Sequence, residues 1–343
     1  MKKWIVTLAS LWLIACSAES TKNAQLSIPD GDITTGSIEI LSNKALDFID
    51  KTAKITVRGS GYKWTEGPLW INDGNYLIFS DIPNNRIMKY HPVEGESVYL
   101  ESSGATGLVD GDYGQGSNGM LLNHQGELVL MQQGDRRVAT MNAPLSAPKS
   151  DFVTLAGRYQ NKRLNSPNDA DLHSDGSLFF TDPPYGLKNV MTDARKELDF
   201  QGVYRLAVDG SLMLLDDEIS YPNGIGLSHD EQTLYVAVSD KAFPHWLAYD
   251  VQDNGQVMNK RVFIDASEYI NVEGEQGMPD GMAVHSSGNI FATGPGGVWL
   301  ITPQGEVLAK IRTGKLTANC TLSTDEKYLF MTAHDTLMSV PLK

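Results

Sequence analysis

Six side chains that carry an oxygen ligand recur along the chain, each at the start of a short apolar run. Their numbers differ successively by 52, 50, 55, 57 and 39, so the unit is a repeat of similar length. If the repeats close into a ring, the six side chains face one another across a single axis. The residues are Glu66, Asn118, Asn168, Asn223, Asp280 and Asn319.

The chemistry of these side chains predicts a bound metal ion. Carboxylates and carboxamides are hard oxygen donors, and no histidine or cysteine cluster accompanies most of them, which favours Ca²⁺ over Zn²⁺. Glu66 and Asp280 supply two negative charges, and the asparagines add neutral oxygens. We therefore expect one divalent cation, with Ca²⁺ preferred and Zn²⁺, Mg²⁺ or Mn²⁺ as alternatives.

Turn formation is the competing explanation for these positions, because asparagine and aspartate before glycine favour turns. It accounts for Asn118, Asn223 and Asp280, each followed by glycine, but not for Glu66. Proline precedes Asn168, Asn223 and Asp280, and its fixed backbone angle would orient the side chain that follows. The pattern favours a ligand role for Glu66, Asn223 and Asp280, while both explanations stay open for Asn118 and the last ring member.

The segments that follow the ring residues read as antiparallel strands. Runs such as 173–182 and 285–294 combine β-branched and aromatic residues with Asp-Gly or Ser-Gly turns. No stretch of ten or more residues has a convincing helical period. Four-stranded units of roughly 40 to 57 residues are typical of a β-propeller, so six of them predict an all-β, six-bladed β-propeller.

The last repeat is too short to form a complete blade. From Asn319 to Lys343 there is room for only three strands, and Ala53–Ser60 is expected to supply the fourth. Pairing the two ends of the chain would also remove an exposed sheet edge. We assign residues 46–343 to the propeller domain.

The N-terminus carries an export signal. Lys2 and Lys3 precede an apolar stretch, and residues 13–16 resemble the bacterial lipoprotein processing box, which predicts a signal peptide 1–16 and lipidation of Cys16. An ordinary cleaved signal is the alternative. Residues 17–45 are expected to form a flexible tether. Ser17 after the cysteine favours a lipid anchor in the outer membrane, with the protein facing the periplasm.

The net charge and the cysteine content bear on the possible binding partners and on how the fold is stabilised. The chain has 28 basic and 42 acidic residues, a formal net charge of −14, which repels nucleic acid phosphates and is compatible with a cation site. If Cys16 is lipidated, only Cys320 remains, so no intramolecular disulfide can form. Stability must come from the core and from metal.

Several long motifs resemble one enzyme family. EGPLW at Glu66, SPNDAD at Ser166, YPNGIGLS at Tyr221 and MPDGMAV at Met278 resemble the gluconolactonase, senescence-marker-protein and luciferin-regenerating-enzyme family from about Gly61 to the C-terminus. The resemblance implies a six-bladed propeller with one catalytic divalent metal. It also implies hydrolysis of sugar lactones.

The resemblance carries over to particular residues. By motif, Glu66, Asn223 and Asp280 match the three metal ligands of the family, and Asn168 matches an asparagine at the metal or the substrate. Ser166 stands where some animal relatives have arginine, so a sugar contact by that arginine is absent or passes to Arg163.

For a lactone, the metal would polarise the carbonyl and help to deprotonate a water. Asp280 is the expected proton acceptor, and the alternative is that Asp280 is a ligand only. Two of the expected substrate contacts have a competing explanation: Asp182 could cap a turn, and His334 could be a surface residue. The residues expected to contact the substrate are Asn118, Asn168, Tyr185, Asp182 and His334.

Two other functions remain open at this level. The same scaffold and metal could hydrolyse an aryl ester or a phosphotriester, since a fold does not determine a substrate. The chain could also be a Ca²⁺-stabilised propeller that binds a ligand without turnover. The matching Glu66, Asn223 and Asp280 set favours a gluconolactonase-like lactone hydrolase over both.

Overall fold

The computed structural model describes residues 33–109 and 115–343. The predicted signal peptide with Cys16, and most of the predicted tether, lie outside these residues. In the described part there is no α-helix, and no helical segment could span a membrane. Four short 3₁₀ turns occur, at Asn43–Asp47, Ile82–Asn84, Val190–Thr192 and Ser267–Tyr269.

Strands make up nearly all of the regular structure. The N-terminal segment contains β1 (Thr34–Thr35), β2 (Ser37–Ile40) and β3 (Ile55–Ser60). The first blade contains β4 (Thr65–Ile71), β5 (Tyr76–Asp81), β6 (Arg86–His91) and β7 (Gly95–Glu101). The second contains β8 (Ser117–Leu122), β9 (Leu128–Gln132), β10 (Arg137–Met141) and β11 (Phe152–Ala156), and a hairpin of β12 (Arg158–Tyr159) and β13 (Lys162–Arg163) follows it.

The remaining blades have the same plan. The third contains β14 (Ala170–Leu172), β15 (Leu178–Asp182), β16 (Gly202–Leu206) and β17 (Leu212–Asp216). The fourth contains β18 (Pro222–Leu227), β19 (Thr233–Val238), β20 (His245–Val251) and β21 (Val257–Asp265). The fifth contains β22 (Met282–Val284), β23 (Ile290–Gly294), β24 (Gly297–Ile301) and β25 (Val307–Arg312), and the sixth β26 (Thr317–Leu322), β27 (Tyr328–Ala333) and β28 (Thr336–Pro341).

The six blades close into a ring. Each innermost strand (β4, β8, β14, β18, β22 and β26) contacts the next, and β26 contacts β4. Apolar side chains fill the space between neighbouring blades; Phe79 of the first blade, for example, packs in one cluster with Phe330 of the sixth. The structure therefore confirms the predicted six-bladed β-propeller.

The N-terminal segment completes the ring. Strand β3 pairs antiparallel with β28, from Ser60 opposite Thr336 to Thr56 opposite Ser339, which confirms the expected outer strand of the last blade. Strand β1 extends the same sheet, and β2 pairs with β25 of the fifth blade. The expected tether boundary at residue 45 is therefore wrong: Ile38 and Ile40 pack on the core, and the segment covers two sheet edges.

Close approach of the inner strands explains the glycines beside the ring residues. A Cβ on Gly224 would lie 2.2 Å from the backbone oxygen of Asp280, and one on Gly67 would lie 2.1 Å from that of Asn118. Asn118 and Asn223 lie inside strands β8 and β18, so the turn explanation is wrong for these two. Glycine is needed there because the neighbouring backbone leaves no room for a side chain.

Hydroxyl groups hold the blades in register near the axis. In four blades, a serine or threonine on or just after the second strand donates a hydrogen bond to a backbone oxygen at or just before the start of the next inner strand. This arrangement keeps equivalent residues at equivalent heights. The pairs are Ser80 to Asn118 (2.8 Å), Thr181 to Asn223 (2.6 Å), Ser239 to Pro279 (2.6 Å) and Thr293 to Ala318 (2.9 Å).

We expect Gly224→Ala to lower the free energy of unfolding by about 1–3 kcal/mol, because the new methyl group would force two inner strands apart. Gly157→Ala is the matched control, since a Cβ there would meet its nearest neighbours at 3.6 Å. Urea unfolding with chelator present measures both. Equal stability of the two variants would contradict the close-approach explanation.

Candidate active site

One end of the ring opens into a cavity of about 1010 Å³. Five of the six predicted ring residues line it, although they are separated by up to 214 residues of sequence, from 66 to 280. Four of them are almost completely buried, whereas Asp280 is half-buried. The five residues are Glu66, Asn118, Asn168, Asn223 and Asp280.

Local irregularities in three of the inner strands determine the direction of the ring side chains that these strands carry. The strand register shifts between Glu66 and Leu69 in β4, between Ser117 and Met120 in β8, and between Pro222 and Ile225 in β18. An irregularity of this kind bends a strand and redirects the side chain within it. Glu66, Asn118 and Asn223 therefore face the axis at the ends of their strands, while Asn168 and Asp280 lie just before β14 and β22.

Asn319 is the exception among the six. Thr317 is the last paired residue before the shift in β26, as Ser117 is in β8, so Ala318 occupies the position equivalent to Asn118 and lines the large cavity. Asn319 lies one level deeper, at a second cavity of about 370 Å³ inside the tunnel. The expected ring therefore has five members at the cavity and one below it.

Asp169 is a site residue that the sequence analysis did not identify. It is buried below the large cavity, and burial together with the charge of Glu66 raises its pKa to about 8. Burial also raises the pKa of Glu66 to about 7, and burial, then Glu66 and Asp169, raise that of Asp280 well above its usual value. The signal was present: Asp169 follows Asn168 where Glu66, Asn223 and Asp280 are followed by glycine.

Two amide oxygens in this cavity have no hydrogen-bond partner. The Oδ1 atoms of Asn118 and Asn223 are buried and unpaired, although buried polar atoms are normally paired. The Nδ2 group of Asn223 donates to Ser239 Oγ at 2.9 Å, which fixes the orientation of that amide. Unpaired oxygens next to the carboxylates of Glu66 and Asp280 fit a hard divalent cation.

The potential metal ligands at this site are of two kinds, carboxylate oxygens and amide oxygens. Over residues 33–109 and 115–343, no group of three or more His, Cys, Asp and Glu side chains is arranged to hold a metal ion. A cation at this site would therefore depend on amide oxygens as well as on carboxylates.

Tyr185 lines the cavity as expected. Its ring stacks on that of Tyr221 with 5.8 Å between the centroids and 21° between the planes. Burial, and then the charge of Asp280, raise the pKa of its hydroxyl. Tyr185 therefore carries its proton and is available as a hydrogen-bond donor beside the ring residues.

Two predicted substrate contacts lie elsewhere. Asp182 is fully buried and accepts the backbone N–H groups of Asn165 at 2.7 Å and Ser166 at 2.8 Å, so it caps a turn and does not line the cavity. His334 is exposed just after β27 and meets the ring of Trp64 edge-on at 5.3 Å. The imidazole of His334 is therefore not part of the cavity lining.

The rest of the cavity wall combines polar and apolar groups. Gln133, Ser239 and Asp240 supply hydrogen-bonding groups, while Met278 and Leu316 contribute apolar surface. A small polyhydroxylated molecule would find donors and acceptors at the floor and apolar contacts at the sides.

Comparison with known proteins gives consistent results. Residues 64–335 match the family described as the SMP-30/Gluconolactonase/LRE-like region. A gluconolactonase from Zymomonas mobilis is 35% identical over 99% of this chain and 94% of its own length. The solved structure of a gluconolactonase from Xanthomonas campestris has a TM-score of 0.78 and 30% identity, over 92% of this chain and 99% of that one.

A more distant structure shares the fold. The regucalcin from Agrobacterium tumefaciens, described as a calcium-binding protein, is 17% identical with a TM-score of 0.64, over 84% of this chain and 94% of that one.

We expect the metal-free protein to lose stability as the pH rises from about 5 to 8. Glu66 and Asp169 have folded-state pKa values of about 7 and about 8, above their ordinary values of 4.5 and 3.8, so the folded state holds protons that the unfolded state releases. Raising the pH removes these protons and leaves the buried charges to repel each other. Melting temperatures measured in chelator across this range test the trend.

Added Ca²⁺ should raise the melting temperature more at pH 8 than at pH 5, because the cation compensates charges that exist only at the higher pH. A metal-free melting temperature that is flat or rises between pH 5 and 8 would contradict the coupling of these carboxylates.

Proposed function

The chain belongs to the SMP-30/gluconolactonase/LRE-like family, and we propose that it opens sugar lactones to the corresponding aldonic acids with the help of one divalent cation. The chain is a lactone hydrolase, as its similarity to gluconolactonases over nearly its full length indicates. The observation that carries the metal dependence is the pair of unpaired buried amide oxygens beside Glu66 and Asp280.

The residues that would hold the cation are Glu66, Asn223 and Asp280, with Asn168 beside them as a further metal or substrate contact. Ca²⁺ fits best, because every donor is an oxygen and two of them carry charge. When bound, such a cation supplies a Lewis acid for the lactone carbonyl and lowers the pKa of a coordinated water.

Asp280 is suited to accept the proton of the attacking water. The carboxylates of Asp280 and Glu66 both line the cavity, but that of Asp280 is half-buried, whereas Glu66 is almost fully buried and accepts the N–H of Gly67 at 3.1 Å. The water oxygen bonds to the carbonyl carbon as its proton passes to Asp280. The ring C–O bond then breaks, and the ring oxygen takes up the proton, which releases the hydroxy acid.

The hydroxyl groups of a sugar lactone have partners in the cavity. Asn118, Gln133 and Asp240 line it beside the ring residues, and Tyr185 can donate from its hydroxyl. The stacked rings of Tyr185 and Tyr221 form a flat apolar surface at one side. Such a surface can pack against the C–H face of a sugar ring while the polar groups bind its hydroxyls.

The expected assay result is metal-dependent hydrolysis of glucono-δ-lactone. Rates above the spontaneous reaction should disappear with chelator and return with Ca²⁺, while Mn²⁺, Mg²⁺ and Zn²⁺ are compared in the same way. A simple aryl ester and a phosphotriester run in parallel test the alternative substrates. A higher kcat/KM for the aryl ester or the phosphotriester than for the lactone would contradict the proposed substrate. If no lactone is hydrolysed in a metal-dependent way, the result would favour a propeller that binds a ligand without turnover.

Asp280→Asn tests the proton acceptor, because asparagine keeps an oxygen ligand but cannot take up the proton. We expect kcat to fall by about 10²–10⁴-fold, with bound metal retained as measured by elemental analysis. Asp171→Asn, a carboxylate change in the tunnel cavity and outside the lining of the large cavity, is the control. Near-normal turnover in Asp280→Asn with metal bound would make Asp280 a ligand only.

We further propose that the mature protein is anchored through lipidated Cys16 to the outer membrane and faces the periplasm. The support is the basic and apolar N-terminus that ends in Leu-Ile-Ala-Cys. Expression of Cys16→Ser should move the protein from the membrane fraction to the soluble fraction. Unchanged membrane association of that variant would rule out this anchor.

A further inference from the structure

The amide of Asn319 has a fixed orientation. Its Oδ1 atom accepts the backbone N–H of Cys320 at 2.8 Å. Because a backbone N–H can only donate, the oxygen must face Cys320 and the NH₂ group must face the other way. That NH₂ group donates to Asp169 Oδ2 at 3.3 Å, and it lies near enough to the Glu66 carboxylate to lower the pKa of that group against the effect of burial.

Packing keeps the amide in this place. A Cβ on Gly281 would lie between 1.9 and 2.4 Å from the three nearest atoms of the Asn319 amide group. The glycine after Asp280 therefore creates the slot that Asn319 occupies. The backbone oxygen of Asn319 also accepts the hydroxyl of Thr332 at 3.2 Å, which holds the strand itself.

The amide thus lies between two buried carboxylates of like charge. Glu66 and Asp169 are 4% and 9% exposed, and Asn319 is 5% exposed, so water contributes little to separating the charges. An NH₂ group with two donors can bind one carboxylate with each hydrogen. This arrangement lets the two carboxylates share one partner instead of turning away from each other.

We infer that Asn319 is a positioning residue: its amide bridges Glu66 and Asp169 from the tunnel side and holds the Glu66 carboxylate toward the cation site. The inference rests on the proposed function, because it concerns the ligand geometry of that site. It also explains why this ring member lies one level below the other five. Groups that orient a metal ligand in this way typically affect metal affinity 10–100-fold.

The test is a calorimetric titration of the metal-depleted full-length chain with Ca²⁺, and separately with Mn²⁺. We expect Asn319→Ala to raise the Kd for both ions 10–100-fold, while kcat for glucono-δ-lactone at saturating metal changes only a few-fold. A loss of affinity with nearly normal kcat is the result that a positioning role predicts.

Thr332→Val is the matched control. It removes the hydrogen bond to the backbone of Asn319 but leaves the amide in place, so the melting temperature should fall while the Kd stays within about twofold. If Thr332→Val weakens metal binding as much as Asn319→Ala does, the effect belongs to the strand and the inference fails.

Asn319→Ser keeps one hydroxyl donor and provides a second variant if the alanine variant does not fold. Its Kd should lie between those of the wild type and Asn319→Ala. Wild-type Kd values in the serine variant, and in the alanine variant where it folds, would overturn the inference and leave the metal site intact. A wild-type chain that binds neither ion would overturn the proposed metal dependence as well.

Discussion

The repulsion among three poorly solvated carboxylates near one axis is the constraint on which the rest of this propeller depends. Glu66, Asp169 and Asp280 come from three different blades, and each has a pKa raised by burial and, for the two aspartates, by the charge of a neighbour. Like charges at close range in a poorly solvated site are unfavourable unless a proton or a cation compensates them. The fold places these groups together, and binding of a divalent cation is the compensation that their chemistry favours.

The ring geometry makes this concentration of charge possible. Inner strands approach so closely that glycine is required at positions such as 224, where the backbone of the next blade would meet any side chain. In four of the blades, a hydroxyl group at the second strand also hydrogen-bonds the backbone at the inner strand of the next blade. Closure by β3 against β28 joins the two ends of the described chain, so that no blade is free to move outward.

The same geometry separates residues that look equivalent along the chain. Asn118 and Asn223 have unpaired oxygens at the cavity, whereas the oxygen of Asn319 is used by Cys320. The strand pairing accounts for this difference, because Ala318 and not Asn319 occupies the position in β26 that is equivalent to Asn118 and Asn223. In the same way, Asp182 caps a turn, because two backbone N–H groups occupy its carboxylate, while Asp240 at the corresponding end of the next blade reaches the cavity.

The sequence alone determined the repeat, the six blades, the outer strand at Ala53–Ser60 and the convergence of Glu66, Asn223 and Asp280, because each of these follows from periodic spacing and local motif. Only the tertiary structure decided which polar atoms are paired. The depth of Asn319 and the exposed position of His334 depend on contacts between blades, which leave no periodic trace in the sequence. Asp169 did stand out, because glycine follows Glu66, Asn223 and Asp280 at that point of the repeat, but its burial beside Glu66 was not visible in the sequence. The strands at 34–40 were missed for a similar reason: they are held by the sheet edges that they cover and show little periodic pattern of their own.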